Sequence, residues 1–178
     1  MNWKKIKTRV LLQHPRLTVV EDDVVLPSGL ATTYIRFNDY ADYPTLVVKN
    51  AEGMILLNRE YAYPPDKVLF QFPEGSQEKG ETLLEAAQRE LGEEAGLRAG
   101  KLTVLGTNYH YHRRTEAMSH IVLAEELAEY TALGDPEEVG IISSWHTEDE
   151  IWQMIKSGKI VQKNTLAAWA TYQAHLKP

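Results

Sequence analysis

Three glutamates, Glu90, Glu93 and Glu94, fall within five consecutive positions of the stretch Arg89-Glu-Leu-Gly-Glu-Glu-Ala-Gly-Leu97. On a helix, at 100° per residue, they point within about 100° of one another. Like charges at this spacing repel by a few tenths of a kcal/mol each, and these sit at the helix's negative C-terminal end. A solvated acidic face tolerates that cost. A hard divalent cation turns it into a site, because Mg²⁺ takes carboxylate oxygens while keeping waters and substrate phosphates around it. Thr82 with Glu85 three residues on is a capping-box signature that predicts the helix start, and Gly96 suits the left-handed position at its end. Leu84, Leu91 and Ala95 form a neighbouring stripe expected to face a core. Gly75 and Gly80 have P-loop spacing, but Glu81 and Thr82 follow where Lys and Ser/Thr are required, and a glutamate there would repel phosphate.

The wider pattern is specific. Gly75, Glu81, Arg89-Glu90-Leu91, Glu93-Glu94 and Gly96-Leu97 stand at the spacing of the Nudix box, so the chain resembles the Nudix hydrolases. That family cleaves nucleoside diphosphates linked to another moiety with Mg²⁺ or Mn²⁺. The resemblance implies an α+β fold, an α/β/α sandwich with a mixed sheet between helices. Glu90 and Glu94 become metal ligands and Glu93 a ligand of a second ion or the activator of water. The carbonyl of Glu74 joins the metal set. Gly75, Glu81 and Arg89 are supporting residues, with Arg89 pairing Glu81 or the helix carboxylates.

Flanking features resemble the ADP-ribose and nucleotide-sugar pyrophosphatase branch. Arg59-Glu60-Tyr61 is similar to a branch motif just upstream of the box, and Arg59 is the candidate to contact a substrate phosphate. Ala62 stands where an arginine usually follows, and Arg113 where ADP-ribose-hydrolysing members often carry a proline. Glu116 aligns with an acidic residue that in relatives can touch the metal through water, and the resemblance makes it a substrate-binding candidate. The branch also places a catalytic glutamate on a loop such as Gly134-Asp-Pro-Glu-Glu-Val, with Glu138 the first candidate for general base and Glu137 the second. The implied reaction is hydrolysis of a nucleoside diphosphate sugar to nucleoside monophosphate and sugar phosphate. The alternatives are a pyrophosphatase of dinucleoside polyphosphates or non-standard nucleoside triphosphates, and a non-catalytic nucleotide-binding regulator.

The elements that must position these residues follow from local pattern. Four apolar or β-branched runs between residues 6 and 37, with a Pro27-Ser28-Gly29 turn, predict an antiparallel lead-in sheet of about three strands. Residues 1–40 are therefore expected to form a subdomain, which in the branch helps to build a homodimer and the substrate pocket, and residues 41–178 the main domain. Thr45 to Lys49, the turn Asn50 to Gly53 and Met54 to Tyr61 read as a hairpin. Val68 to Phe72, Leu102 to Gly106, Ile121 to Ala124 and Ile141 to Trp145 read as further strands. His110 and His112, one strand period apart, are expected to share a face and, with Arg113 and Arg114, to line a pocket mouth or meet solvent. Two histidines alone make no transition-metal site. Thr147 with Glu150 opens a helix carrying Ile151, Met154 and Ile155, and Asn164 to His175 forms the last, with Leu166, Trp169, Ala170 and Gln173 near one face.

A net charge of −6 excludes the basic field that nucleic-acid backbones require, yet it allows an anionic substrate through bound metal. No cysteine occurs, so thiolate and disulfide chemistry are absent. No apolar run reaches membrane-spanning length, and Val10 to Leu12 is too short for a signal core, so the expectation is a soluble cytoplasmic protein. Trp3, Tyr34, Tyr61 and Tyr63 are each able to stack on a base.

Overall fold

The computed structural model describes residues 2–38, 40–131 and 140–177. By its internal contacts the chain forms two units, one of residues 1–41 with 109–117 and one of 42–108 with 118–178. In the first unit, β1 (Lys4–His14), β2 (Leu17–Val25) and β3 (Ala31–Asn38) pair antiparallel in that order. The Leu17 and Asp23 runs are one strand, because Val20, Asp22 and Val24 alternate inward without a break. Asp22 is tolerated there because Thr8 Oγ1 donates to it at 2.6 Å and Arg36 Nε at 2.7 Å, so the three strands share one polar knot. The Pro27–Gly29 turn closes with Gly29 at φ 86°.

The second unit carries β4 (Tyr43–Val48), β5 (Ile55–Ala62), β6 (Lys67–Gln71), α1 (Leu83–Ala95), β7 (Leu97–Tyr109), β8 (Met118–Glu129), β9 (Ile142–His146), α2 (Glu148–Lys156) and α3 (Lys163–His175). Its strands form two three-stranded sheets, ordered β4-β8-β7 and β6-β5-β9, with β4 parallel to β8 and β5 antiparallel to both neighbours. Side-chain alternation builds the layers. Leu46, Val48, Leu56, Val122 and Ala124 pack with Ala87 and Leu91 of α1. Their neighbours Val47, Ile55, Leu57, Ile121 and Leu123 pack on the opposite face with Ile151 and Met154 of α2 and Trp169 and Tyr172 of α3. Helices thus cover both faces of the strands, the α/β/α order expected, and strands buried on both faces read as continuous apolar runs.

Three local expectations are corrected. The turn at Asn50 forms, with Gly53 N donating to Asn50 O at 3.0 Å and Asn50 Oδ1 accepting from Met54 N at 2.8 Å. Its flanking strands nevertheless diverge after one bridge, Lys49 to Ile55, and enter different sheets, so no hairpin exists. Leu84 is exposed, because the inward side of α1 is Ala86, Ala87 and Leu91. Ala170 is exposed too; α3 turns Thr165, Ala168, Trp169 and Tyr172 inward. Among the described residues no helix is long and apolar enough to cross a membrane.

Candidate functional site

Helix α1 begins and ends where its local chemistry dictates. Thr82 Oγ1 accepts from Glu85 N while the Glu85 carboxylate accepts from Thr82 N, and Gly96 closes the last turn at φ 64°. Between these caps, Ala87 and Leu91 pack on the strands, and Glu90 and Glu94 are buried on the same helix, 4% and 9% exposed. Burial of two carboxylates one turn apart is costly unless each is held.

Arg89 holds one group of them. Its Nε and Nη2 donate to the two Glu81 oxygens at 3.0 and 3.1 Å, and Nη2 also to the Ser76 carbonyl at 2.9 Å. Nη1 donates to Glu90 at 2.6 Å and to Glu93 at 2.9 Å. All five N–H donors of the guanidinium are used. The bonds to Glu81 above all, against the opposing effect of burial, raise the Arg89 pKa further, and the same bonds lower that of Glu81. One guanidinium therefore faces three carboxylates and ties the glycine loop to the helix.

Gly75 is required by this packing. A Cβ built on it would lie 2.1 to 2.2 Å from the carboxylate atoms of Glu90, so only glycine lets that carboxylate rest against the loop backbone. Glu94 is held differently: Asn58 Nδ2, on β5, donates to it at 2.7 Å, and Ser143 Oγ, on β9, donates to Asn58 Oδ1 at 2.7 Å. The Glu74 side chain turns away toward the start of α3. It accepts from Gln162 at 2.6 Å, from Asn164 at 3.0 and 3.2 Å and from Thr45 at 3.0 Å. Burial raises its carboxyl above the usual range against these bonds, and nearby Glu60 adds to the rise.

The structure thus gathers Glu81, Arg89, Glu90 and Glu93 with Gly75, places Glu94 beside them on the same helix, and directs the Glu74 carboxylate elsewhere. Among the described residues no three His, Asp or Glu side chains converge as a formed metal cage. The donor set is still that of a hard cation: carboxylate oxygens, two of them on buried side chains, whose charge one guanidinium only partly offsets. Arg59 is exposed on β5, one residue from Asn58. Glu137 and Glu138 lie outside the described residues.

His110 and His112 follow the end of β7 in a turn, so the shared strand face does not form. The His110 ring stacks on Tyr40 with centroids 5.3 Å apart. Within the first unit, His112, Arg113, Arg114 and Glu116 join Arg36 and Tyr34 around a cavity of about 300 Å³. There Arg114 lies over the Tyr34 ring at 5.3 Å and donates to the Ile35 carbonyl at 2.9 Å. Tyr61 and Tyr63 are exposed, and Trp3 meets Tyr34 edge-on at 5.7 Å.

Sequence reasoning passed over Asn58, Ser143 and Glu60. The signal for Asn58 was present: an amide closes the apolar run Ile55-Leu56-Leu57 where strands disfavour it. Glu60 accepts from Gln71 at 2.6 Å, and burial raises its carboxyl. Nothing local marked Ser143, since its partners come from two other elements.

Comparison with known proteins gives concordant matches. A family model described as NUDIX domain matches residues 41–169. The chain is 30% identical over 162 residues to the ADP-ribose pyrophosphatase of Bacillus subtilis (strain 168), covering 88% of this chain and 83% of that protein. It is 31% identical over 124 residues to the ADP compounds hydrolase NudE of Escherichia coli (strain K12), covering 69% and 67%. A solved structure described as that of an ADP compounds hydrolase superposes with a TM-score of 0.88 over 99% of this chain and 95% of its own, at 21% identity.

Proposed function

The chain belongs to the NUDIX family and is a pyrophosphohydrolase with the Nudix fold, and from that premise we propose that it hydrolyses the pyrophosphate bond of a nucleoside diphosphate sugar, ADP-ribose or a related compound. The substrate class is supported by the names of its relatives, ADP-ribose pyrophosphatase and ADP compounds hydrolase. The observation that carries the reading is the buried pair Glu90 and Glu94 on one face of α1, with Glu90 against Gly75.

Glu90 and Glu94, with the Glu74 carbonyl and Glu93, would hold Mg²⁺ or Mn²⁺. When bound, the ion neutralises the bridging phosphates and lowers the pKa of attacking water. The remaining work falls to the chain. Arg89 keeps Glu90 and Glu93 oriented and Glu81 fixes Arg89. Glu138, or Glu137 beside it, takes the proton of a water whose oxygen bonds to phosphorus, as the bond from that phosphorus to the bridging oxygen breaks. The bridging oxygen leaves on the other phosphate, giving a nucleoside monophosphate and a sugar phosphate. Arg59 contacts a phosphate oxygen, and Glu116 contributes to substrate binding.

The chain is further proposed to act as a homodimer. The first unit supports this: β1 is an edge strand on which Ile6, Val10 and Leu12 stand more than half exposed. Neither a nucleic-acid nor a membrane partner is proposed, and a cytoplasmic location is.

Screening nucleotide sugars, dinucleoside polyphosphates and nucleoside triphosphates with Mg²⁺ and Mn²⁺, resolving monophosphate from pyrophosphate release, tests the assignment. Nucleoside monophosphate and sugar phosphate from a nucleotide sugar is the expected result. Pyrophosphate released from triphosphates alone would overturn the substrate class.

A further inference from the structure

Asn58 is fully buried at the end of the apolar run on β5. The orientation of its amide follows from its partners. Nδ2 meets the Glu94 carboxylate, which only accepts, and Oδ1 receives the Ser143 hydroxyl, whose oxygen also lies 3.3 Å from the Glu94 carbonyl. Packing does not call for an amide here: Ile55, Leu56 and Leu57 before it are buried and apolar, and an unpaired amide in such a place is costly.

We propose that Asn58 is a positioning residue that fixes the carboxylate of Glu94 for cation binding, and that Ser143 fixes Asn58 in turn. The inference rests on the reading of Glu94 as a metal ligand. Its chemical content lies in the contrast within α1. Arg89 orients Glu90 and Glu93 but also offsets their charge. Asn58 orients Glu94 with a neutral donor, so this hydrogen bond adds no positive charge to compete with a divalent ion. While Nδ2 holds Oε2, the carboxylate cannot turn about its terminal bond without losing the contact. The Ser143 hydroxyl keeps the amide from flipping, and so couples β9 to the orientation of a side chain on α1.

The test uses Asn58→Leu, which keeps the branched heavy-atom shape and removes the donor, and Ser143→Ala, which leaves the donor and removes its anchor. Mn²⁺ titration followed by electron paramagnetic resonance gives a Kd without turnover, and thermal melting reports the fold. Folded Asn58→Leu is expected to bind Mn²⁺ about tenfold more weakly, with kcat reduced and the KM for nucleotide sugar near wild type. Ser143→Ala is expected to show a smaller loss in the same direction. A folded Asn58→Leu whose Mn²⁺ affinity equals wild type would overturn the proposal, since a purely structural role lowers melting temperature and leaves affinity alone. Should Asn58→Leu fail to fold, Ser143→Ala decides by the same criterion. Glu94→Gln is titrated alongside. Wild-type affinity in Glu94→Gln removes the metal reading and this inference with it, whereas lost affinity there beside an unchanged Asn58→Leu removes this inference alone.

Discussion

At the scale of single residues, the site separates stability from activity in a way that mutation can expose. The group a Cβ at Gly75 would strike is the far end of the Glu90 side chain, which can swing away. Gly75→Ala is therefore expected to fold with a melting temperature within a few degrees of wild type, while turnover drops by about tenfold or more. Equal turnover would mean that the position of Glu90 is irrelevant. Arg89 is the opposite case, because five hydrogen bonds converge on it. Removing it leaves three carboxylates facing one another, and Arg89→Ala should lose about 1–3 kcal/mol in urea unfolding. The pairing also fixes a pH dependence. Glu81 is held below the usual carboxylate range by Arg89, so its contribution is present above its unfolded value and lost as pH falls through the folded one. The melting-temperature advantage of wild type over Glu81→Gln should therefore be constant from neutral pH down to about 5 and close below about 4.5. A gap that widens on acidification would contradict the Arg89–Glu81 assignment.

At the scale of elements, what could be read from sequence was what a few consecutive residues decide. Both capping boxes, Thr82 with Glu85 and Thr147 with Glu150, form as their local chemistry predicts. Thr82→Ala should cost about 1 kcal/mol, measurable as a lower denaturation midpoint. The face α1 presents was half legible. Leu91 is buried as expected, but Leu84 is not, because Ala86 and Ala87 allow close approach to the strands and turn the helix on that side. The supposed hairpin failed for a tertiary reason. Its turn is local and forms, but the run Tyr43 to Val48 is buried throughout and pairs in parallel with β8, Tyr43 opposite Ser119 and Val48 opposite Ala124, far along the chain. The shared face expected of His110 and His112 from their spacing alone does not form, because β7 runs past Gly106 but ends at Tyr109, just before them. Asn58 and Ser143 could not be joined from sequence, since only the β5–β9 pairing sets them opposite one another.

At the scale of the whole molecule, the second unit accounts for an enzyme's scaffold: helices on both faces of the strands, with one of those helices bearing the acidic face. The exposed apolar residues of β1 lead to an expected dimer in light scattering, reduced to monomer by Val10→Lys with Leu12→Lys; a wild-type monomer would remove that part of the account. The central claim is that the α1 carboxylates make this chain a metal-dependent hydrolase. It is tested most directly by following nucleoside monophosphate release from ADP-ribose while Mg²⁺ is titrated into wild type and Glu94→Gln. The account predicts that wild-type turnover climbs from near zero with the ion, and that the folded variant stays lower by about a hundredfold or more. Turnover insensitive to chelation, or equal in the two proteins, would contradict it.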